Sequence, residues 1–403
     1  MHVAIVGAGP AGATLALLLA RNGAHVTLLE REPNFDRVFR GEALMPSGVD
    51  ALHQMGLGGL LDALPFRILE SWDIFVNGRA IMSVPEPYEE LGDRAMRVIP
   101  QKAFLEAVIE QASQFSNFTF IDDADARALI QDDGRVRGVA FTSDGGEHRL
   151  EADLLVACDG RGSLMRTRAE LKLNRLPVQY DVVWFKMPAP ERLRDTCRLM
   201  MYASNTGMGI SYMSWDARLQ FALVQMKGER RELSMAQWAE TMSRPVPSWL
   251  GAHIRSVASQ IEGPVRLNVI AGRAESWHAP GLLLLGDAAH PMSPIRAQGI
   301  NLAFRDAIVA ANHLVPVLRS GGDPDAVDGA LARIQAEREP EVARSQVLQQ
   351  RDTRGIGTWY APLLIGLAGF LGPKLGKYRW AQQAWLRQQR DLRFGSRDVK
   401  LAV

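Results

Sequence analysis

The pattern of apolar and polar positions changes period several times along the chain, and each change predicts a change of element. Val3 to Val6 is short and wholly apolar, as a parallel strand covered on both faces should be. After a glycine-rich turn, Ala13 to Ala20 consists of good helix formers. Gly23 is placed to stop that helix, and Val26 to Leu29 predicts the next strand. Between about Asn117 and Gly160, the clusters Asp132-Asp133-Gly134 and Ser143-Asp144-Gly145-Gly146 separate short strand-like runs, which predicts a β-meander. The region closes on the apolar run Leu154 to Cys158, and Gly281 to Leu285 repeats that pattern. Three buried strands are thus expected to end in polar, glycine-containing turns at Gly7, Asp159 and Gly286. Ligands of open α/β sheets collect at the carboxyl ends of strands, where three remote segments can converge on one ligand.

The middle of the chain reads differently. From about Leu176 to Arg266 the runs VVWFKM, CRLMMYAS, GMGISYMSW and RLQFALVQM follow one another, with no clear helix until Met235 to Met242. This predicts an antiparallel sheet inserted as a second layer, joined by a Trp72-to-Met82 hairpin that turns at Asn77-Gly78. From Ile300 the period is helical: Ile300, Ala303, Phe304, Ala307, Ile308, Ala311 and Leu314 share one face. Gly355 to Pro373 carries no charge and approaches the roughly 20 residues of a membrane span. Pro362 and several glycines interrupt it, so the expectation is a buried C-terminal helix or cap over the sheet. A shallow membrane contact is the alternative.

Composition narrows the class. A chain of 403 residues can bury a large core and favours about two domains. A formal net charge of +1, with 23% charged residues, gives no electrostatic reason to expect nucleic acid as a partner. Cys158 and Cys197 are the two cysteines, too few for a disulfide framework and without a CxxC motif. A reducing cytoplasm is the natural reading, and the strand pattern at the N-terminus leaves no room for a signal peptide.

Three stretches carry candidate chemistry. In Gly7-Ala8-Gly9-Pro10-Ala11-Gly12, the first glycine permits a tight turn, the second admits a pyrophosphate to the backbone, and the third lets helix and strand pack closely. Glu30, followed by Arg31, ends the next strand, where an acid is placed for a ribose hydroxyl pair. The second stretch, Cys158-Asp159-Gly160-Arg161-Gly162-Ser163 with Arg166, fits a structural turn as well as a ligand turn. The third is GDAAHPMSPIRAQGIN, with Gly286, Asp287, His290, Pro294, Arg296, Gly299, Ile300 and Asn301. Asp287 is expected to accept hydrogen bonds from a sugar or ribityl chain, and Pro294 to fix the turn. Gly299 and Asn301 lie at a helix N-terminus, where N–H groups suit an acceptor gaining negative charge, such as the N1–C2=O edge of a reduced flavin. A capped core helix preceded by a turn is the plainer alternative. A lone histidine such as His290 is most often structural. Met187, Met200, Met201, Met208, Met213 and Met226 either fill a core or line an adaptable apolar pocket, and the expectation is the pocket.

In this order, the three stretches resemble the flavin-dependent aromatic hydroxylase superfamily, the para-hydroxybenzoate hydroxylase-like group A flavoprotein monooxygenases. FRGEALMPSGVDALHQMGL, with Arg40 and Glu42, is similar to the family's second flavin-contacting segment. In IPQKAFLEAVIEQA, Gln101 stands at a flavin-binding position. The resemblance spans about residues 1 to 315. It implies an α/β fold: a Rossmann-type FAD-binding domain (1–70, 97–175 and 267–335), an inserted antiparallel β-sheet substrate domain (71–96 and 176–266) and a C-terminal helical region (336–403). It also implies FAD, NAD(P)H and O2, with a flavin C4a-hydroperoxide hydroxylating or epoxidising an aromatic, quinone-like or polycyclic apolar small molecule. No second GxGxxG is present for the nicotinamide, in agreement with the family.

The implied FAD contacts are Gly7, Gly9, Ala11, Gly12, Glu30, Arg31, Arg40, Gln101, Asp159, Gly160, Gly286, Asp287, Pro294, Gly299, Ile300 and Asn301, with His290 in the flavin shell. Pro294 and Arg296 are the catalytic candidates. The family usually has glycine at the position of Arg296, so its side chain either points away from the ring or enters the active site to hold an anionic substrate group or steady the hydroperoxide. Tyr202 and Tyr212 are candidate bases by location only. A reductase of the geranylgeranyl-reductase type and a non-catalytic flavoprotein are the alternatives. The halogenase signature Trp-x-Trp-x-Ile is absent.

Overall fold

The apolar runs at Val3, Val26 and Leu154 lie side by side in one sheet. The computed structural model describes residues 1–35, 42–87, 91–353 and 361–403. The sheet has six strands in the order His278–Ala279, Leu282–Leu284, Leu154–Ala157, His2–Val6, His25–Leu29 and Phe118–Ile121. All neighbours are parallel except the first pair. Helices Pro10–Arg21, Gln101–Ala112 and Gln298–Arg319 pack together against it. The opposite face is covered by Val136, Val139 and Phe141 of a separate antiparallel sheet, with Met165 and Trp277. Cover on both faces explains why the central strands are apolar runs rather than alternating.

Phe118–Ile121 joins this parallel sheet instead of the meander expected from Asn117 onward. The meander is the separate three-stranded antiparallel sheet Asp125–Asp132, Arg135–Ser143 and Gly146–Glu151. Positive φ at Asp133-Gly134 and Asp144-Gly145 supplies its two tight turns.

The second layer is a seven-stranded sheet in the order Glu262–Leu267, Tyr180–Pro188, Arg218–Met226, Gly207–Met213, Arg198–Ser204, Ser71–Val76 and Arg79–Pro85. The expected hairpin turns at Asn77-Gly78, both with positive φ. Antiparallel order fails at one seam, where Arg198–Ser204 pairs in parallel with Ser71–Val76. Two separate stretches of chain meet there, so no hairpin sets their direction. Helices Met235–Ser243 and Ser248–Ser256 close the outer face over Phe185, Met187, Met200, Tyr202, Met213 and Phe221. The methionine-lined pocket is thereby corrected: Met187, Met200 and Met213 belong to this outer core, and Met226 is exposed. Met201 and Met208 lie on the side facing the first sheet, Met208 in register with Val224.

The Pro324–Thr353 helix runs unbroken through 335–336, so the expected domain boundary there falls inside a helix. It is tied to the Gln298–Arg319 helix by buried charges. Arg338 pairs with Asp306 at 2.7 Å and with Glu341, which also accepts from Arg305 at 2.8 Å. A buried C-terminal helix is also corrected. Ala361–Leu375 is helical, but Leu363, Leu367 and Phe370 are exposed. Among the described residues, no helix is long and apolar enough to cross a membrane.

Candidate active site

The first turn is built by close approach. At Gly7, with φ +99°, a β-carbon would stand 2.5 Å from the Cys158 carbonyl oxygen, and one at Gly12 would strike the Gly7 carbonyl. The glycines are thus required where the neighbouring strand ends. Gly9 precedes the Pro10–Arg21 helix in extended conformation, and no side chain caps the helix N-terminus. Its first-turn N–H groups and partial positive charge are available to an anion. Glu30 is buried; its carboxylate accepts from the Ala8 amide at 2.8 Å and the Glu32 amide at 3.0 Å. It therefore stands over the turn at the end of the adjacent strand. Arg31 is exposed and paired with Glu32, whose hydrogen bond raises the guanidinium pKa.

Remote segments meet this turn. Leu285 N–H donates to the Ala157 carbonyl at 2.9 Å. Gly286 has φ +59°, and a β-carbon there would lie 3.2 Å from that of Ala11. The ends at Gly7, Cys158 and Gly286 are therefore contiguous. Arg166, buried, joins the two later turns by donating to the Ala288 carbonyl at 2.6 Å and the Arg161 carbonyl at 3.2 Å. Its bridging role was not legible because its partners are backbone carbonyls. Asp159 accepts from Ser163 Oγ at 2.6 Å and from the Met165 amide at 3.0 Å, so its carboxylate organises the turn. Gly160, at φ +83°, and Gly162 have open space where a side chain would stand.

The third turn leads into the Gln298–Arg319 helix. Arg296 (φ +64°) and Ala297 (φ +49°) are both left-handed, and no side chain caps the helix. Gly299 lies beside Asp287, whose Oδ1 would be 3.7 Å from a β-carbon added there. Pro294 and Ile300 are half-buried. Asn301 is buried and serves as a clasp: its Oδ1 accepts from the Met45 amide at 2.9 Å, and its Nδ2 donates to the Ala297 carbonyl at 2.5 Å. A β-carbon on Gly48 would collide with that side chain. Gln101 opens the Gln101–Ala112 helix and is half-buried. Arg40 lies outside the described residues.

His290 points into the core. Its Nε2 lies 2.7 Å from Asp306, and its ring packs against Trp277 with centroids 4.8 Å apart. Burial raises the Asp306 pKa, but His290 and Arg338 outweigh it and hold the carboxyl at about 2. Tyr202 is an outer-core residue, stacked on Phe221 and bonded to Ser211 at 2.7 Å. Burial raises its pKa, which removes it as a base.

Tyr212 is on the opposite face, toward the first sheet, in register with Gln220 and hence with Lys186. Glu42 meets this row: Ser214 Oγ donates to it at 2.8 Å, and Lys186 stands 3.9 Å away and 2.6 Å from Asp216. Burial pushes the Glu42 carboxyl up to about 7, against the opposing pull of Lys186 and Ser214. Sequence reasoning missed this polar group, since sheet register aligns residues 186, 212 and 220 and the packing of a second sheet brings Glu42 to them.

The rest of that face is apolar. Ile295, from the third turn, packs against Tyr180, Val182, Ala222 and Val269, as do Trp184, Ile210 and Val224. The turn is fastened on several sides. Tyr180 and Ser293 share a hydrogen bond of 2.6 Å, and Gln349 Nε2 donates to the Ser293 and Ile295 carbonyls at 2.9 and 2.6 Å. Arg296 pairs with Asp352 at 3.0 Å, its guanidinium 5.8 Å from the Trp72 ring and 5.3 Å from the Trp385 ring.

The site thus combines two uncapped helix N-termini, glycines that admit no side chain, and an acid over the first turn, along one edge of a parallel sheet. These features fit a dinucleotide whose far end reaches the third turn. Comparisons with known proteins agree. Residues 1–346 match the family described as the FAD binding domain. Over 372 residues the chain is 32% identical to a 6-methylpretetramide 4-monooxygenase of Streptomyces rimosus, an alignment spanning 87% of this chain and 83% of that one. It is 25% identical to a squalene monooxygenase of Brassica napus, over 86% of this chain and 67% of the relative. Among solved structures, p-nitrophenol 4-monooxygenase of Pseudomonas putida shares the fold with a TM-score of 0.82, at 18% identity over 98% of each chain.

Proposed function

This chain belongs to the FAD-binding family of flavoprotein monooxygenases, and from that premise we propose that it uses NAD(P)H and O2 to hydroxylate a polycyclic or aromatic, largely apolar small molecule. The observation that carries the reading is the apposition of the third turn, through Ile295, to the apolar face that includes Trp184, Ile210, Ala222 and Val224. An apolar wall over the helix N-terminus excludes water from the place where oxygen transfer needs a dry environment. The relative named for 6-methylpretetramide supports hydroxylation ahead of epoxidation.

Bound flavin, reduced by NAD(P)H, would supply the electrons that activate dioxygen, and one oxygen atom of dioxygen would pass to the substrate while the other leaves as water. The chain's part is to bind, orient and exclude water. In this proposal the turn at Gly7, Gly9, Ala11 and Gly12 holds the pyrophosphate, and Glu30 accepts from the ribose hydroxyls. Gly160, Gly286 and Asp287 line the middle of the cofactor with Gln101. Gly299 and Ile300 present helix N–H groups to the edge of the ring that becomes negative, and Pro294 shapes the turn beside it. Asn301 acts by holding that helix to the Ala43–Met45 segment. Arg296 acts as a positioning residue, because its guanidinium is engaged by Asp352 and two tryptophans.

The test uses the flavin-loaded protein with NADH or NADPH, a panel of polycyclic phenols and quinones, and isotopically labelled dioxygen. Substrate-stimulated NAD(P)H oxidation with one labelled oxygen in the product is expected. Stimulated oxidation that yields only hydrogen peroxide across the panel would overturn the substrate class.

A further inference from the structure

The Ala361–Leu375 helix is seated by glycines and turns its leucines to solvent. It lies on Arg79–Pro85, the edge strand of the seven-stranded sheet. At Gly372 a β-carbon would come within 2.7 Å of the Ile81 side chain, and at Gly376 it would strike the Ile81 carbonyl. Gly369 faces Val76, whose side chain would lie only 3.3 Å from a β-carbon added there. These glycines fall on one side of the helix, so close seating fixes its rotation. On the other side Leu363, Leu367, Phe370 and Leu371 follow the i, i+4, i+7, i+8 spacing of a single stripe. Leu363 is 72% exposed, Leu367 54% and Phe370 64%. Leu375, Tyr378 and Trp380, which follow, are also exposed.

The charge around the stripe has one sign. From Ala361 to Gln389 the sequence carries Lys374, Lys377, Arg379 and Arg387 and no acidic residue, in a chain whose net charge is only +1. Lys374 rises from the apolar stripe itself, with its Nζ 4.3 Å from the centre of the Phe370 ring. A long side chain that covers an apolar neighbour and carries its charge outward suits a boundary between hydrocarbon and anionic headgroups. Exposed Tyr378 and Trp380, each apolar with a polar tip, suit the same depth. A second copy of the chain meeting this face about a twofold axis would oppose these cations to their own copies.

We infer that the Ala361–Leu375 helix and the basic stretch after it form a docking surface for an anionic lipid bilayer, entered to the depth of its side chains and not crossed. The inference stands independently of the substrate proposed above. It would bring the edge of the substrate-facing sheet against the membrane, where apolar compounds partition.

The experiment is sedimentation of the full flavin-loaded chain with vesicles of equal parts phosphatidylcholine and phosphatidylglycerol, and with phosphatidylcholine alone. The protein is expected to sediment with the mixed vesicles, less so as salt is raised. Leu367→Ser and Phe370→Ser are each expected to lower partitioning about tenfold, from the apolar area withdrawn. Lys374→Glu with Lys377→Glu and Arg379→Glu should abolish the preference for phosphatidylglycerol. All five substituted positions are exposed, so retained flavin content and thermal midpoint separate lost docking from lost folding. The inference is overturned if the native chain stays in the supernatant with both vesicles, or if the serine variants partition unchanged. It is equally overturned if sedimentation equilibrium shows a dimer that Phe370→Ser dissociates while vesicle binding is absent.

Discussion

Arg296 donates through Nε to Asp352 at 3.0 Å from a backbone held at φ +64°. A non-glycine residue in that conformation costs about 1 kcal/mol. Its persistence here is explained by the side chain, which binds the third turn to the Pro324–Thr353 helix and lies near Trp72 and Trp385. The pair therefore joins the turn beside the proposed reaction site to the C-terminal helices.

Arg296→Gly should relieve the backbone and release the turn. The expected result is little change in thermal midpoint, a several-fold rise in KM, and more NAD(P)H consumed as hydrogen peroxide. Asp352→Asn should reproduce the uncoupling, and the double variant should be no worse than either single one, because both remove one interaction. Additive losses would place the role of Arg296 elsewhere.

Gly12→Ala puts a methyl group against the Gly7 carbonyl. Purified variant protein should carry almost no flavin by visible absorbance. Asp287→Ala, beside Gly299, is expected to yield mostly apoprotein as well. Full flavin occupancy in either variant would contradict the cradle proposed here.

Glu42 links stability to pH in an unusual direction. Its carboxyl titrates near 7 in the folded chain against an ordinary 4.5, mainly because it is buried. The stabilisation of the neutral acid is complete below the ordinary value and is lost as pH rises through the folded one. Urea midpoints of the native chain, compared with Glu42→Gln, should therefore fall between those two values and level off above. Parallel curves for the two proteins would refute the shift.

Arg338 is fully buried between Asp306 and Glu341. Arg338→Ala leaves both acids with less compensation in the core and should cost about 3–5 kcal/mol in urea denaturation. His290→Asn should cost less, since Asp306 keeps its bond to Arg338. Equal losses would mean that the histidine carries as much of the network as the arginine.

Much of the cradle was legible because it depends on local rules. Gly7 and Gly12 stand between an apolar strand and a helix, and such glycines have few other uses. The three strand ends were legible as well, since each strand is apolar on both faces. Asp159 and Asn301 were harder. A carboxylate in a glycine turn and an amide at a helix start serve ligands and backbone equally well, and here their side chains are bonded to Ser163 and Met45. Of the two expectations for the C-terminal helix, burial fails and a place against the sheet holds: three glycines occupy the packed side, which leaves the leucines exposed. The group at Glu42 and Lys186 depends on register within one sheet and on the packing of another sheet against it, which no single segment encodes.

The parallel sheet also sets a timetable. His2–Val6 is made first but is flanked on one side by Leu154–Ala157, and the turn at Gly286 follows a strand made later still. A ribosome delivers the first turn of the cradle long before the other two exist, and pairings between such distant segments form slowly. Flavin capture is therefore a late event in the life of each new molecule.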